Sequence, residues 1–78
     1  MEWWEECISD IQELLDYQCS CNYIESDNED ILSFIQVRYK GNFSLFEYRD
    51  ELESIASKHN MFLVDFDDDS VDFVVNSY

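Results

Sequence analysis

Ten acidic residues and no Lys or Arg occupy Met1 to Val37. An acid in that stretch has no counter-charge close by in sequence, so it must face water or something cationic. Any element built there has one permitted wet side, and the apolar residues between the acids must share the other. At 100° per residue, Trp4, Cys7, Ile8, Ile11, Leu14 and Leu15 fall on one narrow arc, while Glu2, Glu5, Glu6, Asp10, Glu13 and Asp16 fall on the opposite one. The spacing predicts an amphipathic helix whose wet face is almost wholly acidic.

A second helix is expected from "SLFE", where Ser44 and Glu47 fit a capping box. Leu45, Tyr48, Leu52, Ile55 and Ala56 form its apolar stripe. Lys58 and His59 suit the negative end of the helix dipole, and Asn60 suits a left-handed exit. Each helix is followed by two strand-like runs around an acidic turn. "CNYIE" and "ILSFIQVRY" flank "SDNED", and "MFLVDF" and "VDFVV" flank "DDDS". In the second pair Phe62, Val64 and Phe66 are expected to point inward with Val71, Phe73 and Val75, leaving Asp65 and Asp72 on the outer face.

The element order is therefore α-β-β-α-β-β. It predicts one α+β domain over residues 1–78: a four-stranded antiparallel sheet with both helices on one face. "YIESDNEDILSFIQ" and "FLVDFDDDSVDFVVN" share the same strand–turn–strand layout, and Trp4, Ile11, Leu14 and Leu15 match Leu45, Leu52, Ile55 and Ala56. Two helix–hairpin half-repeats, 1–40 and 41–78, are one reading of that likeness; chance is the other.

Composition settles which classes to set aside. Hydrophobic residues are 46% and aromatics 17%, enough for a core, with one glycine and no proline to suggest a linker. The net charge of −15 speaks against nucleic acid or an anionic membrane as ligand, and for a basic protein surface. "MEWWEE" is acidic where a secretory leader is basic, and no apolar run approaches the ~20 residues that span a bilayer. A cytoplasmic protein with Cys7, Cys19 and Cys21 reduced is expected.

Specific chemistry finds little support. "DFDDDSVDFVVN" opens like a calcium loop at Asp65, Asp67 and Asp69, but Ser70 replaces the turn glycine and Asn76 the bidentate glutamate. Cys7, Cys19, Cys21 and His59 lack the spacing of a zinc site. Gly41 alone cannot make a phosphate loop, and no nucleophile elbow occurs. No metal, no cofactor and no catalysis is expected.

The acids themselves remain. They gather on one helix face and in two turns, scarcely interspersed with bases, at a net charge well beyond the ~2–8 that solubility needs. Carboxylates three or four apart on a helix stand roughly 5–6 Å apart at Cβ, a row of anions that a phosphate-binding groove could accept. The candidate partner-binding residues are Glu2, Glu6, Asp10, Glu13 and Asp16 on the helix; Glu25, Asp27, Glu29 and Asp30 around the first turn; and Asp65, Asp67, Asp68, Asp69 and Asp72 around the second. Trp3, at the margin of the apolar arc, is a candidate anchor, with Tyr78 near the other terminus.

In "MEWWEECISDIQELLD", "ESDNED" and "DFDDDSVD", and in its shortage of Lys and Arg, the chain resembles the small acidic DNA-mimic inhibitors that phages encode, of the anti-CRISPR and anti-restriction kind. The likeness is one of composition and charge layout over the full length. It implies a non-enzymatic inhibitor that competes with nucleic acid for a CRISPR effector or restriction enzyme. Immunity proteins and antitoxins, which plug a nuclease toxin, use the same physics. A small adaptor domain binding through Trp3, Phe43 or Phe46 is the alternative outside that physics.

Overall fold

The computed structural model describes residues 2–26 and 32–76. Helix α1 spans Trp3–Leu14, followed by strands β1 (Cys19–Ile24) and β2 (Phe34–Tyr39). A 3-10 turn at Leu45–Tyr48 leads into helix α2 (Arg49–Lys58), and strands β3 (Met61–Val64) and β4 (Ser70–Val75) complete the chain. The expected α-β-β-α-β-β order and four-stranded antiparallel sheet are both present.

The apolar arc of α1 becomes the core side of the helix: Cys7, Ile11 and Leu15 are buried, with Trp4, Ile8 and Leu14 packed beside them. Burying side chains of this size contributes about 1.5–3 kcal/mol each, far more than the helix's own propensity. No basic residue and no glycine closes α1. Asp16 and Tyr17 instead take left-handed φ values of 54° and 61°. Tyr17 N–H then donates to the Gln12 carbonyl at 2.7 Å and Asp16 N–H to the Glu13 carbonyl at 3.3 Å, satisfying two orphan carbonyls.

The start of the second helical segment differs from the capping box. Ser44 Oγ accepts from Phe46 N–H at 3.2 Å, one residue short of the Glu47 N–H the box requires. That shorter bond suits the tighter 3-10 turn, and the α-helix proper begins only at Arg49. Its far end is as expected: Asn60 is left-handed at φ 56° directly after His59.

The strand order is β1-β2-β4-β3, so the second strand of each hairpin lies at the centre. Cys19, Cys21 and Tyr23 from β1, Ile35, Val37 and Tyr39 from β2, and Val71, Phe73 and Val75 from β4 face the helices. In β3 the expected orientation is reversed. Met61 and Leu63 face the core, and Phe62 and Val64 pair with Val74 and Asp72 on the other side. The left-handed Asn60 delivers Met61 inward, where its Sδ accepts from the Cys7 thiol at 3.7 Å, and a one-residue change of parity flips every later side chain. Phe66 lies beyond the strand yet packs on the core as expected, because Asp65 turns the chain at φ 53°. Asp72 is on the outer face as expected; Asp65 belongs to the turn.

Gly41 is required by close approach. A Cβ there would strike the phenol of Tyr39, whose ring is buried beneath the segment that leads to Ser44.

Candidate partner-binding surface

The two helices run antiparallel over one side of the sheet. Asp10 meets Lys58 and His59, and Glu13 and Leu14 line a groove of about 470 Å³ with Glu51, Ser54 and Ile55. Glu2, Glu6 and Glu13 are exposed along α1, while Glu5 is half-buried. On α2, Asp50, Glu51 and Glu53 are exposed as well. These three were missed by attention to the first helix, although the same wheel that places Leu52 and Ala56 inside places them outside.

Among the described residues three ion pairs form, and two of them end on Asp10. Its Oδ2 lies 3.0 Å from Lys58 Nζ and 2.9 Å from His59 Nε2; the third pair joins Arg49 Nε to Glu53 at 3.3 Å. The His59 hydrogen bond, reinforced by Lys58, holds the Asp10 carboxyl below its usual range, and the same contact raises the Lys58 ammonium. Asp10 therefore clamps α1 to the end of α2 and is not a free member of the acidic row. Glu2, Glu6 and Glu13 have no such partner, and neither do Asp16, Glu25, Asp65, Asp67, Asp68 and Asp69.

The acidic turns do not meet. β1 and β4 both run away from the end of the sheet that holds the 65–69 turn, and β2 and β3 run toward it. Ile24 at the end of β1 and Phe34 at the start of β2 are consequently at the opposite end, about 20 Å away along strands of six residues. Glu25 is exposed at that far end, near the start of α1 with Glu2; Asp27, Glu29 and Asp30 lie outside the described residues, as does Tyr78. Asp16 shares the end of the 65–69 turn, through the bond from Lys40 N–H to the Gln18 carbonyl at 2.7 Å. The α1 row, from Glu2 to Asp16, runs from one of these ends to the other.

The 65–69 turn is held from within. Asp67 N–H donates to the Ser70 carbonyl at 2.7 Å, Asp68 N–H to the Asp67 carboxylate at 3.2 Å, and Leu45 N–H to the Asp68 carbonyl at 2.7 Å. Its carboxylates point to solvent, and Asp67, Asp68 and Asp69 are all exposed. Beside it Phe46 stacks on Phe66 at 5.2 Å, with Phe43 and Tyr17 exposed at the same end. Phe43 and Phe46 are the residues through which an adaptor domain was expected to bind, and the structure places them beside the acidic turn with Tyr17 and Phe66. Trp3 is 46% exposed at the other end, edge-on to Tyr23 at 5.8 Å, while Trp4 lies flat on the same ring at 4.8 Å.

Asp72 stands apart from the other acids. It lies on the outer face of the sheet, where desolvation raises its pKa against the opposing pull of Arg38. The thiols are not poised for chemistry. Burial pushes Cys7 and Cys21 up to about 12 and raises Cys19, whose sulfur is 3.9 Å from that of Cys21, so at neutral pH all three are thiols and poor nucleophiles. Among the described residues no group of three His, Cys, Asp or Glu side chains is placed to hold a metal ion, and no helix is long and apolar enough to cross a membrane.

With this geometry in view, comparison with known proteins found no matching family model, no similar curated protein and no similar solved structure. The class defined is structural: a small α+β domain, two antiparallel helices over one side of a four-stranded antiparallel sheet.

Proposed function

We propose that this protein is a non-enzymatic inhibitor that seats its acidic helical side and the 65–69 turn on a basic nucleic-acid-binding surface of another protein, as an anti-CRISPR or anti-restriction protein does. The observation that carries this reading is the set of exposed carboxylates of Glu2, Glu6 and Glu13 on α1 and of Asp67, Asp68 and Asp69 in the turn, none of which forms an ion pair among the described residues. Uncompensated like charge costs stability, and a cationic partner removes that cost when it binds. The backbone that carries these carboxylates, a helix and a turn closed with its own hydrogen bonds, is already ordered, so binding loses little loop entropy. The exposed rings of Phe43, Phe46 and Tyr17 beside the 65–69 turn supply apolar contact where charge alone would be unspecific.

The partner is cytoplasmic on this reading, a CRISPR effector or a restriction enzyme, and no metal, cofactor or direct nucleic-acid contact is involved. A pull-down from lysate of a bacterium carrying both systems, washed at rising salt and with competing DNA, tests it. Recovery of a nucleic-acid-processing protein that salt and DNA both release is the expected outcome. A captured nuclease toxin would turn the reading to an immunity protein. A partner indifferent to salt and DNA would overturn mimicry in favour of an adaptor. With the partner in hand, Asp67→Lys, Asp68→Lys and Asp69→Lys together should slow association by about 10–10³-fold at low salt with the circular dichroism unchanged. An unchanged rate would place the turn outside the interface. Glu2→Lys, Glu6→Lys and Glu13→Lys test the α1 row separately, and leave Asp10 to its internal role.

A further inference from the structure

The side of the sheet away from the helices does not follow the usual polar pattern of a solvated antiparallel face. The register sets Ile24 beside Phe34, Phe34 beside Val74, and Val74 beside Phe62. These four residues make an unbroken apolar row across all four strands, and Ile24 and Phe62 at its ends are 39% and 43% exposed. The next row is Asn22, Gln36, Asp72 and Val64, and the third is Ser20, Arg38 and Ser70.

This face also differs in charge. Its strand residues carry one base, Arg38, and one acid, Asp72, in a chain whose net charge is −15. Among the described residues neither forms an ion pair within the chain, although they are close enough for Arg38 to oppose the upward shift of Asp72. A basic partner is drawn to the helical side. The strand face is the part of the surface where a second, equally acidic chain meets least repulsion.

We propose that this face binds a second copy of the chain, giving a two-fold dimer with the sheets stacked and the helices outermost. A two-fold axis parallel to the strands lays β1 over β3 of the second copy and β2 over β4, because the order β1-β2-β4-β3 reads the same when the two hairpins exchange. Row then meets row. Ile24 packs on Phe62 of the second copy, Phe34 packs on its Val74, and Arg38 comes within side-chain reach of its Asp72, each contact occurring twice. Sheets stacked in this way sit about 10 Å apart with their strands nearly aligned.

Size sets the strength. Three strands of six residues and one of four, about 4.8 Å apart with about 3.3 Å per residue, cover roughly 350 Å² on each copy. The roughly 700 Å² total falls below the ~1,200–2,000 Å² of stable complexes, so the association is expected to be weak and to need high protein concentration. Salt gives the association a signature. Screening shortens from ~10 Å at 0.1 M to ~3 Å at 1 M and weakens repulsion between the copies, so dimer should increase with salt. Binding of the acidic side to a basic partner should decrease with salt, which keeps this inference separable from the proposed inhibitor function.

Sedimentation equilibrium of the full chain at 0.05 M and 1 M NaCl tests the dimer. The expected result is monomer at low salt and an apparent mass approaching twofold at high salt and high protein concentration. Phe62→Lys and Ile24→Lys each lower the net negative charge, which by repulsion alone would favour association, but both should return the protein to monomer at 1 M NaCl. Circular dichroism confirms that each variant is folded. A wild-type chain that stays monomeric at 1 M NaCl and millimolar concentration overturns the proposal. So does a dimer that both lysine variants leave intact, which would use another surface. A different protein that competes with self-association and is lost on Phe62→Lys would assign the face to that protein instead.

Discussion

The same four strands present two faces, and alternate residues of one strand have opposite fates. Toward the helices, Ile35, Val37, Val71 and Phe73 are almost wholly buried; away from them, one residue along, Phe34, Gln36, Asp72 and Val74 are only partly covered. The inner face is apolar from end to end. The outer face is apolar in one row and polar in the rest. Burial by the chain's own helices therefore accounts for one face completely and for the other only in part. The outer row, only partly covered, adds less to the stability of the monomer than the inner face does.

Stability measurements can break that comparison. Phe73→Ala empties a site with no exposure and should cost about 3–5 kcal/mol, a large share of the ~5–15 kcal/mol typical of a whole domain, read as the midpoint of urea unfolding. Phe62→Ala, the same chemical change on the outer face one residue from the buried Met61, should cost under about 1 kcal/mol. An equal loss from both would mean that the outer row is covered in the monomer.

Two aspartates sharpen it with opposite signs. The pKa of Asp10 is lowered on folding, so its contribution is present above the unfolded value near 3.8 and disappears as pH falls through the lower folded value. The pKa of Asp72 is raised, so the folded state is favoured by its protonation at low pH, and that advantage is lost as pH rises through the raised folded value. At pH 7 Asp10→Asn should destabilise, by about 0.2–1 kcal/mol as exposed ion pairs do, and Asp72→Asn should stabilise. Thermal unfolding of both at pH 7 and pH 3 would show the two differences shrinking together at the acid end. A loss of stability in Asp72→Asn at pH 7 would show that Arg38 outweighs desolvation there. A gain of similar size is expected from Asp16→Gly, which relieves a left-handed side-chain residue at the end of α1 and should add up to about 1 kcal/mol, read as the midpoint of urea unfolding.

Much of this was legible because two periodicities are distinct. The arc from Trp4 to Leu15 could only be a helix with one dry side, and Val71, Phe73 and Val75 alternate as a half-buried strand must. β3 was misjudged for a physical reason. "MFLVDF" is apolar at successive positions, so alternation cannot say which parity faces inward, and the parity is set by the left-handed Asn60 that precedes it. The pairing of β2 with β4, and with it the placing of the 65–69 turn away from the Ile24 end of β1, depends on contacts distant in sequence that no local pattern encodes. Asp10 looked like its neighbours on the wheel; only the arrival of Lys58 and His59 from α2 distinguishes it.

The 65–69 turn has a consequence for how such a chain can change over generations. It is tied to Leu45 and Tyr39 through backbone bonds at its own end of the sheet. Its exposed side chains make none of those bonds, so a substitution among them changes the charge of that end without disturbing the strand register. The surface there can vary while the buried residues of the sheet stay fixed.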